Sequence, residues 1–216
     1  MKILTIGGAT QDIAFNTKQG QLIDNQQDLT RQQLLAFEFG AKINTREVDF
    51  LFGGGATNTA VNFANLNNKV WSLVCLGEDA AGKEILKNLK KHSVKTNLVQ
   101  FSEKPSGLSF VINAKNLGEE HTLFTYRGAN ADLKVDLDTI AEKDFDLIYI
   151  SSLSGKKHKN NLPKIFNYKK NKQETKIAWN PGSLQIKLGL GELSHFLKMT
   201  DFFIVNKDEA IELCLS

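Results

Sequence analysis

The feature that most constrains the fold is a regular alternation of short β-rich runs with amphipathic, helix-like stretches. Strand, helix, strand over most of the 216 residues predicts an α/β fold, with a central, mostly parallel sheet flanked by helices on both faces. The predicted strands are Lys2–Ile6, Val70–Leu76, Asn97–Phe101, Asp146–Ile150, Lys176–Trp179 and Asp201–Val205. The predicted helices are Ala56–Leu66, Asp79–His92, Asn160–Asn171 and Lys207–Leu213.

Two regions break this rhythm, residues 13–52 and residues 107–126. The second contains two alternating runs around a polar KNLGEE turn, which is typical of a hairpin. Each region is inserted between a strand and a helix of the main pattern, near the strand ends where α/β proteins bind ligands. We therefore expect a small β-sheet lid on a single domain spanning residues 1–216; an edge extension without function is the alternative.

The stretch GEDAAGKE, residues 77–84, nearly spells a phosphate-binding loop of the form G-x-x-x-x-G-K-[ST]. Glu84 stands where the loop needs a magnesium-binding hydroxyl, and Glu78 and Asp79 would repel a triphosphate. The sequence instead favours Asp79 as the N-cap of a helix and Gly77 as the turn out of a strand.

A glycine cluster upstream, in FGGGATNTA, is the better candidate for a site. Gly53, Gly54 and Gly55 follow a strand-like run and precede a helix, so the backbone and the free N–H groups of the helix start can approach a ligand. The dinucleotide pattern G-x-G-x-x-G would place a third glycine at position 58, where this chain has Asn58. The Asn58 amide suits a neutral polyol better than a pyrophosphate.

The spacing resembles the first signature of the PfkB/ribokinase family of carbohydrate kinases, which implies a ribokinase-like fold. One position departs from the signature: Asn67 stands where the family usually has Gly or Ser, and Asn still tolerates the positive φ of a helix-ending turn. The matching positions are Gly53, Gly54, Ala56, Asn58, Ala60 and Gly77.

Further segments resemble this family in the family's own order: IGGATQD, RGANADL, WNPGS and NKDEA. NKDE alone would equally suit an exposed helix start. The resemblance implies that Glu209 helps to place Mg²⁺, directly or through water, and that Arg127 reaches a substrate group or a phosphate. The implied substrate-binding residues are Asp12, Gly54, Gly55, Asn58, Arg127 and Asn130, and the implied ATP- and phosphate-binding residues are Asn180, Asn206 and Glu209.

The family's catalytic Asp belongs to a later G-A-G-D-like segment, which this sequence does not contain. We therefore expect no catalytic base in this chain and interpret it as the N-terminal, C-terminally truncated part of a longer kinase. The implied function is ATP-dependent phosphorylation of a sugar hydroxyl with ATP and Mg²⁺ as cofactors. A nucleoside kinase of the same fold and a non-catalytic small-molecule-binding remnant are the alternatives.

Composition sets the remaining expectations. A net charge of +3, from 27 basic and 24 acidic residues, gives no reason to expect a nucleic-acid partner. No run approaches the length of a membrane span, and MKILTIGG is too short for a signal peptide, so we expect a cytoplasmic protein. Cys75 and Cys214 lie in apolar runs and are expected to be buried thiols, and the histidine spacing indicates no zinc site. The apolar FEF and FLF stretches suit a homodimer formed through the lid or packing within one chain.

Overall fold

The computed structural model describes residues 1–27, 33–114 and 121–215. The described strands, in chain order, are β1 (Lys2–Ile6), β2 (Thr10–Thr17), β3 (Gln21–Asp24), β4 (Gln33–Ala36), β5 (Glu47–Gly53), β6 (Lys69–Leu73), β7 (Cys75–Gly77), β8 (Gln100–Ser102), β9 (Gly107–Ala114), β10 (His121–Tyr126), β11 (Leu147–Ile150), β12 (Lys176–Trp179) and β13 (Phe202–Phe203). The described helices are α1 (Gly55–Asn65), α2 (Ala80–Lys91), α3 (Leu137–Ala141), α4 (His158–Asn171), α5 (Ser183–Ile186), α6 (Gly189–Leu197) and α7 (Lys207–Leu215), with a 3-10 helix over Gly128–Asp132.

The chain divides into two compact units, each with its own sheet. Unit 1 comprises Met1–Gln11, Phe52–Gly107 and Arg127–Ser216. Unit 2 comprises Asp12–Leu51 and Leu108–Tyr126. The chain therefore passes between the units at four points.

Unit 1 is built on a five-stranded sheet in the order β13-β12-β11-β1-β6. Every pairing in it is parallel, which confirms the predicted α/β class. Side chains alternate between two apolar clusters, since Ile3 joins the cluster with α1 and α2, while Leu4 and Ile6 join the cluster with α3 to α7. Helices thus cover both faces of the sheet.

Two of the predicted strands are placed differently. The single run Val70–Leu76 forms two strands, because only β6 pairs with β1, and the chain then leaves this sheet to pair as β7 with β8. The strand predicted at Asn97–Phe101 is β8, which begins at Gln100. The short helices α3, α5 and α6 were not predicted, because stretches of this length carry too little periodicity to stand out.

Unit 2 contains a four-stranded sheet in the order β10-β9-β2-β5 and a separate antiparallel pair, β3 with β4. The hairpin strands β9 and β10 pair antiparallel from Leu108 opposite Tyr126 to Asn113 opposite His121. The KNLGEE turn, residues 115–120, lies outside the described residues. Phe15 on β2 stacks on Phe110 of β9, with ring centroids 6.0 Å apart and planes 14° apart.

Candidate functional site

A junction of glycines lies at the carboxyl ends of β1 and β11 in unit 1, where parallel α/β sheets bind ligands. The glycine junction consists of Gly7, Gly8, Gly54, Gly55 and Ser151. The Ser151 backbone N–H donates to the carbonyl of Ile6 at 2.9 Å, and the Gly8 N–H donates to Ser151 Oγ at 3.3 Å. Helix α1 starts here, and the N–H of Ala56 donates to the Gly8 carbonyl at 3.1 Å.

The glycines of the junction allow the chain to approach itself. Gly54 has φ 94°, and a Cβ placed on it would lie 2.4 Å from the carbonyl oxygen of Gly8. A Cβ on Gly55 would lie 2.6 Å from Cβ of Ser151. The close backbone approach at Gly54 and Gly55 therefore brings α1 against the ends of β1 and β11. The approach of this backbone to a ligand stays a prediction.

Asn58 is a polar side chain near the start of α1 to which no described residue bonds. It lies one turn after Gly54, whose carbonyl accepts the Asn58 backbone N–H at 3.0 Å. Its side chain is exposed, and its amide makes no hydrogen bond with the described part of the chain. Both its donors and its acceptor are therefore available to a ligand.

Asp12 belongs to unit 2, where it lies half-buried on β2. Gly54, Gly55, Asn58, Arg127 and Asn130 belong to unit 1. The structure therefore gathers Gly54, Gly55 and Asn58 at the start of α1, whereas Asp12 lies in the other unit.

Asn130 lies in the 3-10 helix and is 3% exposed. Its Oδ1 accepts the backbone N–H of Ala9 at 2.9 Å, and its Nδ2 donates to the carbonyl of Ala9 at 2.8 Å. Arg127, three residues earlier, is exposed, and its side chain has no hydrogen bond or ion pair with the described residues. Asn130 thus holds backbone, while the Arg127 guanidinium is open to solvent.

Asn206 and Glu209 form a reciprocal capping box at the start of α7. The Asn206 N–H donates to Glu209 Oε2 at 2.9 Å, and the Glu209 N–H donates to Asn206 Oδ1 at 2.8 Å. The helix-start arrangement considered for NKDE is therefore present, and it leaves the second carboxylate oxygen of Glu209 without a partner among the described residues. Asn180, which follows β12, donates from Nδ2 to the Ile204 carbonyl at 2.8 Å and so ties together the ends of β12 and β13.

The GEDAAG segment is a strand-to-helix turn, as predicted, with Asp79 as the N-cap of α2. Asp79 accepts from the Gly82 N–H at 2.8 Å and from both the N–H and the hydroxyl of Ser106 at 2.7 Å each. Burial disfavours the Asp79 carboxylate, but the hydrogen bonds from Ser106 and Gly82 outweigh it and lower the pKa of Asp79 below its ordinary value. Ser106 was missed by sequence reasoning, because no local pattern marks a partner 27 residues from Asp79.

The prediction of two buried thiols is correct for Cys75 and wrong for Cys214. Cys75 is 1% exposed, and burial, followed by the nearby Asp132 carboxylate, raises its pKa. Cys214 is exposed, because on α7 the neighbouring Leu213 faces the apolar cluster instead.

In the described ranges, no group of three or more His, Cys, Asp or Glu side chains is arranged to hold a metal ion. None of the described helices combines the length and the apolar character that a membrane span requires.

Comparison with known proteins gives consistent matches. The profile of the pfkB family carbohydrate kinases matches residues 14–215. An uncharacterized sugar kinase of Archaeoglobus fulgidus is 26% identical over 144 residues, which are 65% of this chain and 55% of that protein.

Solved structures match almost the whole chain at lower identity. Ribokinase from Cryptococcus neoformans in complex with ADP aligns with a TM-score of 0.70 and 18% identity, over 99% of this chain and 59% of that one. A nucleoside kinase from Burkholderia thailandensis in complex with inosine aligns with a TM-score of 0.75 and 16% identity, over 98% of this chain and 62% of that one. The chain therefore spans less than two thirds of the length of these proteins, and its fold is that of the ribokinases.

Proposed function

Because the chain belongs to the pfkB family of carbohydrate kinases, we propose that it acts in the ATP-dependent phosphorylation of a sugar hydroxyl and supplies the acceptor-binding part of the site. The observation that carries this proposal is the exposed amide of Asn58, which bonds to no described residue and lies one turn after Gly54 of the glycine junction. An exposed amide at a helix start, at the carboxyl edge of a parallel sheet, is well suited to bind hydroxyl groups.

In this proposal Gly54, Gly55 and Asn58 hold the acceptor at the start of α1. Asp12 on β2 accepts hydrogen bonds from two hydroxyls, since one carboxylate can take both donors. Unit 2 is proposed as the lid that excludes water from the transfer. Arg127, whose guanidinium is exposed, binds either an acceptor group or a phosphate.

The nucleotide side of the site is proposed at the ends of β12 and β13. Asn180, Asn206 and Glu209 follow these neighbouring strands, and an ADP-bound ribokinase has the same fold. Glu209 fits a role toward Mg²⁺, because its second carboxylate oxygen bonds to no residue in the described part of the chain. Mg²⁺ sites take one or two carboxylates together with phosphates and water. When bound, Mg²⁺ would neutralise charge on the phosphate oxygens.

We assign the catalytic base to no residue of this chain, because the sequence has no G-A-G-D-like segment. We therefore expect the purified 216-residue chain to bind acceptor without phosphorylating it. ATP-dependent product formation by that chain would contradict this assignment.

A nucleoside acceptor is the second candidate, favoured by aromatic residues in unit 2. Phe15, Phe110, Phe124 and Tyr126 line an open concavity of about 560 Å³ on the sheet, and an aromatic wall of this kind can stack a base. A non-catalytic binding remnant is the third, and a G-A-G-D-like segment in the frame after the Ser216 codon would dismiss it.

Calorimetric titration of the chain with D-ribose, D-fructose, adenosine and inosine tests the acceptor site. Asn58→Ala should weaken binding of the recognised acceptor about tenfold, because a hydrogen-bonding amide is lost. Asn62→Ala is the matched control, since Asn62 is an exposed Asn one turn further along α1. Binding by Asn58→Ala that equals the wild type would refute the assignment.

A further inference from the structure

The four points at which the chain passes between the units converge, on the unit 1 side, on Ala9. Strand β2 crosses between Gln11 and Asp12, two residues after Ala9. The crossing in β5 is followed by Gly54, where an added Cβ would lie 2.6 Å from Cα of Ala9. Strand β9 crosses just after Gly107, where an added Cβ would lie 2.7 Å from the Ala9 carbonyl oxygen.

The fourth crossing, before Arg127, leads directly into the 3-10 helix that carries Asn130. The Asn130 backbone N–H donates to the Arg127 carbonyl at 3.0 Å. Its side chain accepts the Ala9 N–H and donates to the Ala9 carbonyl. One buried amide therefore joins two of the crossings by hydrogen bonds. It satisfies backbone groups that would otherwise be unpaired in a buried place.

The packing around Asn130 is close on the side of its amide. A Cβ on Gly107 would lie 2.2 Å from Asn130 Nδ2, so Gly107 is needed to make room for the amide. The adjacent Ala129 N–H donates to the Pro105 carbonyl at 2.8 Å, which fixes the 3-10 helix from the same side. The two bonds to Ala9 use one N–H and one oxygen lone pair of the amide, and the burial of this side chain favours a structural role over the substrate contact that the family resemblance implies.

We propose that Asn130 is a positioning residue: by holding Ala9 it fixes the start of β2 and thereby the placement of Asp12, which lies on that strand three residues after Ala9. The inference rests on the proposed function, in which the Asp12 carboxylate binds acceptor hydroxyls. A carboxylate that takes two hydroxyls is sensitive to small displacements of its backbone. Loss of this contact should therefore lower acceptor affinity although Asn130 does not touch the acceptor.

The chain offers a matched control for this test in Asn161 of α4. Asn161 is also 3% exposed, and it makes the same two-bond contact with backbone, accepting from Val135 N–H at 3.0 Å and donating to the Leu133 carbonyl at 2.9 Å. Asn130→Ala and Asn161→Ala should therefore cost similar stability. Asn130→Asp and Asn161→Asp form a second pair that keeps side-chain size and opens no cavity.

The experiment measures two quantities on the wild-type chain and all four variants. Amide hydrogen exchange over Ala9 to Phe15 reports the start of β2, and titration with D-ribose, D-fructose, adenosine and inosine reports acceptor affinity. We expect exchange over this segment and the dissociation constant each to rise about tenfold in the Asn130 variants. In the Asn161 variants both should stay within about twofold of the wild type.

The two proposals fail in different ways. If the wild type binds none of the four probes, the proposed function fails, while the exchange data still test the hold of Asn130 on Ala9. Exchange over Ala9 to Phe15 that is no faster in the Asn130 variants than in the Asn161 variants would overturn the inference. So would an equal loss of acceptor affinity in both sets of variants, because that loss would follow from general destabilisation.

Discussion

Replacement of Asp79 by Ala should destabilise unit 1 through one small hydrogen-bonded cluster. The carboxylate accepts from Gly82 N–H, Ser106 N–H and the Ser106 hydroxyl, and Ser106 is only 3% exposed. Loss of an N-cap costs about 1 kcal/mol, and buried donors left unpaired at Ser106 add about 1–3 kcal/mol. We therefore expect Asp79→Ala to lower the free energy of unfolding by about 2–4 kcal/mol at pH 7.

The pH dependence of this effect has a defined sign. The pKa of Asp79 is lower in the folded chain than its ordinary value, so its ionised form stabilises the fold above the unfolded-state pKa of about 3.9. This contribution is lost as the pH falls through the folded-state pKa. The difference between wild type and Asp79→Ala should accordingly be complete at pH 7 and shrink below about pH 4.

Urea denaturation followed by tryptophan fluorescence measures this effect, because Trp71 and Trp179 both lie in the apolar core of unit 1. Glu78→Ala is the control, since Glu78 precedes Asp79, is exposed, and makes no side-chain hydrogen bond to the described residues. Its effect should stay within about 0.5 kcal/mol. If Asp79→Ala costs no more than the control at pH 7, the hydrogen-bonded cluster does not stabilise unit 1. A cost that is the same at pH 3 and pH 7 would refute the electrostatic part.

Three further predictions test other parts of unit 1. Gly54→Ala should lower the free energy of unfolding by at least about 2 kcal/mol, because Gly54 has a positive φ and an added Cβ would overlap backbone. Gly191→Ala on α6, with open space at its Cβ, should raise it by up to about 1 kcal/mol. Equal effects of the two substitutions in thermal unfolding would contradict this geometry. A thiol-specific disulfide reagent should label Cys214 in the native chain and Cys75 only after unfolding, because burial protects Cys75 and raises its pKa. Fast labelling of both thiols in the native chain would show that the core near Cys75 opens. Glu209→Ala should lower the free energy of unfolding by about 1 kcal/mol, because the capping box is lost. Glu209→Gln keeps an oxygen acceptor and should cost less. An equal cost of the two substitutions would show that the charge of the carboxylate stabilises the helix start more than its hydrogen bond does.

The elements that the sequence predicted well are determined by local physics. The alternation of strands and helices follows from side-chain periodicity, and it predicted the parallel sheet of unit 1. Asn67 was expected at positive φ after the helix and has φ 61°. Asp79 was expected as an N-cap and accepts the Gly82 N–H three residues later. In each case the interacting groups lie within a few residues of one another.

The parts that were missed depend on contacts between distant residues. The Asn130 side chain bonds to the backbone of Ala9, which is 121 residues away in the sequence. No local spacing therefore indicates that its Oδ1 and Nδ2 both bond to backbone. Likewise, β7 leaves the five-stranded sheet because it pairs with β8 instead. The continuous apolar run Val70–Leu76 does not indicate this change of partner. Cys214 shows the same limit on a smaller scale, because an apolar surrounding does not decide which face of a helix is buried.

Substitutions at Gly54 and at Asn58 differ in how well they test the acceptor site. Gly54 cannot accept a side chain even without any ligand, since Gly8 and Ala9 already occupy the space beside it. A damaging substitution at Gly54 would therefore follow from folding alone and would not test the acceptor site. Asn58 has an exposed amide that none of the described residues uses, so its removal should leave the fold intact. Acceptor affinity in Asn58→Ala, compared with Asn62→Ala, consequently separates a kinase site from a glycine turn that serves only packing.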